Sequence, residues 1–307
     1  MADVLPRAEL WLAPLRGVTI RAFREAFAEP IRETGFAGAF APFIPANPGI
    51  RVNDRMLADL APFGAHDPAG ARTLPVVPQV ISKDPDAMRV LLRGFMERGF
   101  VRADLNAGCP FPMIRRRGRG SGLFRTPDVL DRLLEAGCDE LGPGRLSLKI
   151  RLGADRPDEL RDLMPVVNRY PLAVLTVHAR TAKQMYEGEC DLARFREIVA
   201  LSTNPVMYNG DVPLPADGSP AALPDYGVPR LMVGRAFVRA LGLRPDADDL
   251  LRRYVALSQA ELSGDHPVLG RMKELLAYWT EVSPRWRRLW PVAKTCRAVD
   301  ELLMLLR

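Results

Sequence analysis

The chain is poor in the residues that usually build metal and disulfide sites. Its 307 residues include four cysteines, Cys109, Cys138, Cys190 and Cys296, and three histidines. No two cysteines form a CxxC pair, so neither a zinc site of ordinary spacing nor a disulfide framework is supported. No bound metal is expected, and free thiols fit a reducing, cytoplasmic setting. No apolar run reaches the roughly 18 residues that a membrane span requires. The N-terminus opens on Met1-Ala2-Asp3 without the basic-then-apolar order of an export signal. Internal repeats and low-complexity tracts are also missing. What remains is a chain 48% hydrophobic and 26% charged, which suits a large buried core and argues against wholesale disorder.

The charge balance is only mildly lopsided. Against 37 Asp plus Glu stand 43 Lys plus Arg, a net +6. That permits a polyanionic partner without demanding one. The cations are nearly all arginine, which suits forked contacts to phosphate, although a GC-rich genome gives the same bias.

Short apolar runs recur at Leu10–Leu15, Gly38–Ile44, Leu74–Ile81, Val101–Ala107, Leu146–Arg151, Ala173–His178, Val206–Tyr208 and Leu231–Val233. Helical patterns separate most of them. Asp84 to Arg98, for example, spaces Ala87, Val90, Leu91, Phe95 and Met96 on one face. Eight strands alternating with helices predict an α/β fold, a TIM (β/α)8 barrel, with a doubly wound open sheet as the rival. The connections 45–72 and 211–229 are long and irregular, and the second lacks a clear helix. After Pro245 the pattern becomes helix upon helix, read as Asp246 to Leu262, Val268 to Trp279 and Val292 to Leu306. The expected organisation is therefore a catalytic barrel over 1–244 and a small all-helical domain over 245–307.

In a parallel barrel chemistry gathers at the C-terminal ends of the strands. Just past the apolar runs stand Gln79, Asn106, Cys109, Lys149, Arg151, His178, Asn209, Asp211 and Arg235. Polar groups at so many equivalent positions indicate one shared site. Asn106-Ala107-Gly108-Cys109-Pro110 is the sharpest segment. Its thiol could be a nucleophile, a proton donor or a small core residue. No His or Asp in the same loop would make it a thiolate, and a thiol that keeps its proton suits an acid. The following stretch, 115–122, holds four arginines among glycines. It reads either as a solvated flexible loop or as a mobile clamp on nucleic-acid phosphate. Gly210 after strand seven and Gly234-Arg235 after strand eight occupy the place where barrels commonly bind phosphate. From Arg271 to Arg297 seven cations face two acids, with Trp279, Trp286 and Trp290 interleaved. That segment is either a core with a solvated face or a surface for RNA phosphates.

Taken in order, Leu12-Ala13-Pro14-Leu15, Pro78-Gln79-Val80, Asn106–Pro110, Lys149-Ile150-Arg151, His178-Ala179-Arg180-Thr181 with Tyr186 and Gly188, Asn209-Gly210-Asp211 and Met232–Arg235 resemble the tRNA-dihydrouridine synthases over essentially the whole chain. The resemblance implies an FMN barrel reduced by NADPH or NADH, with tRNA as substrate and a helical C-terminal domain that helps hold it. By the same resemblance FMN would be surrounded by Ala13, Pro14, Gln79, Lys149, His178, Asn209, Gly210, Asp211, Gly234 and Arg235. Hydride would reach C6 of a flipped-out uracil and Cys109 would protonate C5. Asn106, Arg115, Arg117, Arg151, Arg180, Lys183, Tyr186, Arg287 and Arg288 are the expected substrate contacts, and a monomer is expected. The chain departs from the family at Leu15-Arg16, where a Met-Glu or Met-Gln pair is usual. It departs again in a shortened stretch after Asp211 and in the apolar run Pro110-Phe111-Pro112-Met113. These departures leave open which uridine, and which RNA, is modified. Two readings compete: an FMN barrel reducing a small molecule, and a catalytically silent RNA-binding relative.

Overall fold

A computed structural model describes residues 8–61, 73–214 and 223–306. The chain runs β1 (Glu9–Leu12), α1 (Arg21–Ala26), α2 (Ala28–Glu33), β2 (Phe36–Phe40), β3 (Ile44–Pro45), α3 (Asp54–Leu57), β4 (Val76–Val77), β5 (Gln79–Ile81) and α4 (Pro85–Met96). It continues through β6 (Ala103–Asn106), α5 (Pro112–Arg115), α6 (Pro127–Leu141), β7 (Leu146–Gly153), α7 (Glu159–Val167), β8 (Val174–Thr181), α8 (Leu192–Leu201), β9 (Val206–Asn209), β10 (Arg230–Val233) and α9 (Arg235–Leu241). Four further helices follow: α10 (Ala247–Glu261), α11 (Asp265–Val282), α12 (Pro284–Ala293) and α13 (Val299–Leu303).

Every strand pairing is parallel. The sheet closes on itself. β1 lies between β10 and β2, β2 and β3 pair with β4 and β5, and β5 pairs with β6. Pro78 alone separates β4 from β5. It lacks an N–H for the ladder, yet its carbonyl accepts the Asp104 amide at 2.9 Å, so the strand is notched without being lost. The barrel carries two apolar layers. The larger lies between the strands and the surrounding helices. The smaller, Ala13, Phe40, Val77, Val174, Met207 and Met232 with Trp11 against it, fills the inside and supports the polar residues above.

Local chemistry sets the helix starts. Asp84 and Asp191 accept the backbone N–H of Ala87 and Arg194 at 2.8 and 2.9 Å, and Pro85 and Pro127 stand in first turns where no donor is needed. After β1 the chain forms two short helices, α1 and α2, in place of one longer one. Pro30 can neither donate to the carbonyl of Ala26 nor pack against it, and the helix resets at Phe27. The C-terminal reading also needs correction. Residues 284–293 are helical, and the helix read over 292–306 is broken at 294–298. Pro284 starts α12 where no donor is needed, and Pro291 lies within its last turn, where the helix continues without a hydrogen bond to the Arg287 carbonyl.

α10 packs on α1, and α11 on α9. Trp279 Nε1 donates to the carbonyl of Val238 at 2.9 Å, which ties α11 to the barrel's last helix. Their apolar side chains belong to the same core as the barrel. Among the described residues no helix is long and apolar enough to cross a membrane.

Candidate active site

The strand ends of the barrel converge on one open pocket. Ala13, Pro14, Asn106, Cys109, Lys149, Arg151, His178, Tyr186, Asn209, Gly210, Gly234 and Arg235 all line it. Arg16, Phe43 and Phe111 join from the loops, and Glu274 and Tyr278 reach over the mouth from α11. The last two are four residues apart and therefore share a helix face. No sequence signal shows that α11 folds back onto the pocket.

Beneath the pocket a directed relay of side chains holds the Cys109 loop. The backbone N–H groups of Cys109 and Gly108 donate to Asn106 Oδ1 at 2.9 and 3.2 Å. Asn106 Nδ2 must then face the other way, and it donates to Gln79 Oε1 at 2.8 Å. Gln79 Nε2 donates in turn to Asp104 Oδ2 at 2.7 Å. Each amide has one workable orientation because the relay begins on backbone donors and ends on a carboxyl. Gln79 is fully buried and does not line the pocket, and Asn106 keeps a single Nδ2 hydrogen for a ligand.

Across the barrel Lys149 Nζ donates to Asn209 Oδ1 at 2.8 Å, and Asn209 Nδ2 donates to the carbonyl of Met232 at 2.9 Å. Burial and the neighbouring Arg151 pull the Lys149 ammonium down to about 8. His178 is held well below its ordinary value by burial and by the cations Arg151, Lys149, Arg180 and Arg235, so it is a neutral imidazole in a positive field. Burial pushes the Cys109 thiol up, more than Arg151, Arg16 and Lys149 pull it down. It therefore keeps its proton at neutral pH, which favours the acid over the nucleophile among its possible roles.

Asp104 lies wholly inside the barrel, with Oδ1 lacking a hydrogen-bond partner among the described residues. Burial pushes its carboxyl from 3.8 up to about 7, against the pull of Gln79 and Lys149. Between those values the folded chain binds the proton and the unfolded chain does not. This contribution to stability is therefore complete below about pH 4 and is lost as pH rises through about 7. An Asp104→Asn variant, uncharged throughout, is expected to gain on the wild type over that interval by roughly 4 kcal/mol at most. The difference between the melting temperatures of the two flavin-free proteins measures it. Parallel pH profiles would mean that the carboxyl ionises in the fold as it does in water.

Several expected contacts are occupied by the protein itself. Arg151 is buried and donates to the carbonyls of Gly108, Thr181 and Met185 at 3.0, 2.8 and 2.7 Å, so it braces the loops that carry Cys109 and Tyr186. Arg180 is buried against Asp211 and the Gly188 carbonyl. Asp211 does not line the pocket and is paired also with Arg235 at 2.7 Å. Burial alone would push its carboxyl up, but the two guanidinium groups outweigh that and hold it below its usual range. Arg115 pairs with Asp155 at 3.0 Å. Lys183 stands at a separate depression beside Asp155 and Glu189. Arg117 lines a groove outside the pocket. Arg287 and Arg288 are exposed on α12, away from the pocket lining. The glycine at 210 has an internal cause, because a Cβ there would lie 2.5 Å from the Tyr208 hydroxyl and 2.7 Å from Cys190 Sγ.

Comparison with known proteins places the chain in a family. A sequence model of the dihydrouridine synthase family matches residues 11–243. A probable tRNA-dihydrouridine synthase of Staphylococcus epidermidis is 30% identical over 244 residues, spanning 76% of this chain and 70% of that protein. Probable tRNA-dihydrouridine synthase 2 of Bacillus subtilis is 30% identical over 242 residues, 75% of this chain and 69% of that one. Among solved structures, morphinone reductase superposes with a TM-score of 0.50 at 12% identity, covering 75% of this chain and 83% of that chain. The old yellow enzyme homologue of Zymomonas mobilis does so with 0.50 at 13% identity, covering 91% and 94%. Likeness at such identity carries the barrel fold alone.

Proposed function

The chain belongs to the dihydrouridine synthase family of oxidoreductases, and from that premise we propose that it reduces uridine to dihydrouridine in RNA, tRNA first, with FMN as cofactor and NADPH or NADH as reductant. The observation that carries the proposal is the Cys109 thiol, raised by burial, in the same pocket as the cationic cluster of Lys149, Arg151 and Arg235. A pocket with this donor set fits an anionic cofactor. Four cations crowd a neutral His178, while Glu274 at the mouth is the one carboxylate in the lining among the described residues.

FMN, when bound, supplies the hydride transfer. In this reading Arg235, with the start of α9 and the side-chain-free positions Gly210 and Gly234, would hold its phosphate. Lys149, His178, Asn209, Ala13 and Pro14 would hold its ring, and Gln79 would act through Asn106. Asp211 keeps Arg235 in place. Cys109 holds the proton at Sγ that is delivered to C5 of a uracil taken out of its stack. Tyr186 lies beneath the Arg235 guanidinium, 4.9 Å from ring centroid to the carbon, and closes one side of the base site. Residues 245–307 act as a helical RNA-facing domain on the catalytic barrel of 1–244. Trp279 and Trp286 are core there, Arg285 is engaged by Asp248 at 2.6 Å, and Arg287 and Arg288 stay outside any ion pair among the described residues.

The test is incubation of the yellow holoprotein with unmodified tRNA and NADPH, reading dihydrouridine by mass. Product is expected from the wild type. Reversing Arg287 and Arg288 to Glu is expected to weaken tRNA binding and to flatten its salt dependence, by about one unit of log–log slope for each phosphate that is no longer neutralised. Absence of dihydrouridine with every tRNA and RNA tried would sink the activity. An unchanged salt slope would leave the C-terminal helices with packing alone.

A further inference from the structure

The pocket does not end at its mouth. A groove leaves it between the Cys109 loop and α11, sharing Arg16, Phe111 and Glu274 with the pocket. Its outer wall is the apolar run that departs from the family. Phe111 is 41% exposed and Met113 61%, and Arg116 and Arg117 stand beside them. Among the described residues no carboxylate lies within ion-pairing distance of Arg116 or Arg117, whereas the neighbouring Arg115 and Arg125 both pair with Asp155, at 3.0 and 3.2 Å.

This wall is built as a fixed ledge. The carbonyl of Cys109 accepts both the backbone N–H and the hydroxyl of Ser121, at 3.1 and 2.8 Å. Gly120, at φ +56°, lets the chain pass so close to Cys109 that a Cβ would lie 2.8 Å from the cysteine's own Cβ. Pro110 and Pro112 stiffen the approach to α5. The thiol and the exposed aromatic ring therefore ride on one unit.

We propose that this ledge is a subsite for the nucleotide adjoining the target uridine. Phe111 and Met113 receive its base, and Arg116 and Arg117 its phosphate. The inference rests on the uridine-reducing activity proposed above. Drawing one base out of a stack leaves its neighbour with an exposed face. An unpaired base is best received by an aromatic or apolar side chain flanked by guanidinium groups. Apolar surface, unpaired positive charge and continuity with the pocket all meet here, one nucleotide's reach from the thiol.

The experiment compares short RNAs carrying the target uridine next to a purine or next to an abasic residue, under single turnover with NADPH. Wild-type holoenzyme is expected to favour the purine-bearing RNA by about 5- to 100-fold in kcat/KM, the range for one stacked base. The double variant Phe111→Ala, Met113→Ala is expected to abolish that preference and to treat the two RNAs alike within about twofold. Neither side chain belongs to the buried core, and circular dichroism checks that the variant folds. Arg116→Glu with Arg117→Glu is expected to weaken both RNAs equally and to lower the salt slope. Equal rates of wild type on the two RNAs, or discrimination that survives in the Phe111/Met113 variant, would overturn the subsite while leaving uridine reduction intact. A rise in KM for NADPH with RNA discrimination unchanged would give the groove to the dinucleotide instead and overturn it too. A wild type that reduces no RNA would remove the activity itself, an outcome distinct from both.

Discussion

Replacing Cys109 with alanine is expected to cut dihydrouridine formation by about 10²–10⁴-fold, the usual consequence of losing a general acid. The effect should fall on product formation alone. The Cys109 thiol is buried at the pocket wall, but the loop is held by backbone contacts: its amide to Asn106 and its carbonyl to Ser121. Neither contact involves sulfur, so the alanine variant should keep the loop, the cofactor and the oxidation of NADPH. Serine separates acid strength from shape. Its hydroxyl occupies nearly the same place but releases a proton far less readily, so Cys109→Ser should remain close to Cys109→Ala. The pH profile supplies a second check. Burial raises the thiol, so the acid stays loaded through neutral pH and is lost only on the alkaline side, where the wild-type rate should fall and the alanine variant's residual rate should not. Wild-type turnover by the alanine variant on unmodified tRNA would make Cys109 a packing residue.

Much of the barrel is legible in the chain because each strand is an apolar run ended by a polar residue, and the ends repeat. Closure of the sheet is less so. It depends on strands notched at 41–43 and at Pro78, features that read equally well as loop. The site divides in the same way. Lys149, His178, Asn209 and Arg235 follow from their position at strand ends. Arg151 and Arg180 stand at equivalent positions, yet their guanidinium groups turn to loop carbonyls and to Asp211. Sequence position fixes where a long side chain begins and not where it ends. Asp104 is hidden for a related reason, since two residues before Asn106 it reads as one more strand residue, and only the relay through Gln79 gives it a task. Glu274 and Tyr278 need the three-dimensional return of α11. Residues 284–293 do not read as a helix because prolines at helix ends and prolines that break helices look the same in a string.

Reversal of Arg235 to glutamate should give a folded, colourless protein. Arg235 begins α9, whose first two N–H groups, those of Arg235 and Ala236, have no partner inside the helix, while those of Phe237 and Val238 donate to the Gly234 carbonyl. Its guanidinium is held by Asp211 at 2.7 Å and lies over the Tyr186 ring at 4.9 Å, so it is oriented before any ligand arrives. A phosphate placed there would meet a forked cation and the helix's first two N–H groups. Glutamate removes the cation and sets a second carboxylate beside Asp211, so the phosphate would face two like charges. Removing one partner of a charge-assisted contact commonly costs a few kcal/mol, and reversal costs more, so FMN binding is expected to weaken about 10²–10⁴-fold. Arg235→Gln, which loses the charge without reversing it, should fall between. Arg235 is partly exposed, and its loss leaves the apolar core untouched, so circular dichroism and melting temperature should match those of wild-type apoprotein. Released flavin per chain, measured by absorbance after denaturation, decides the matter. Full occupancy in the glutamate variant would move the phosphate away from β9, β10 and α9 and would require a different orientation of the cofactor in the pocket.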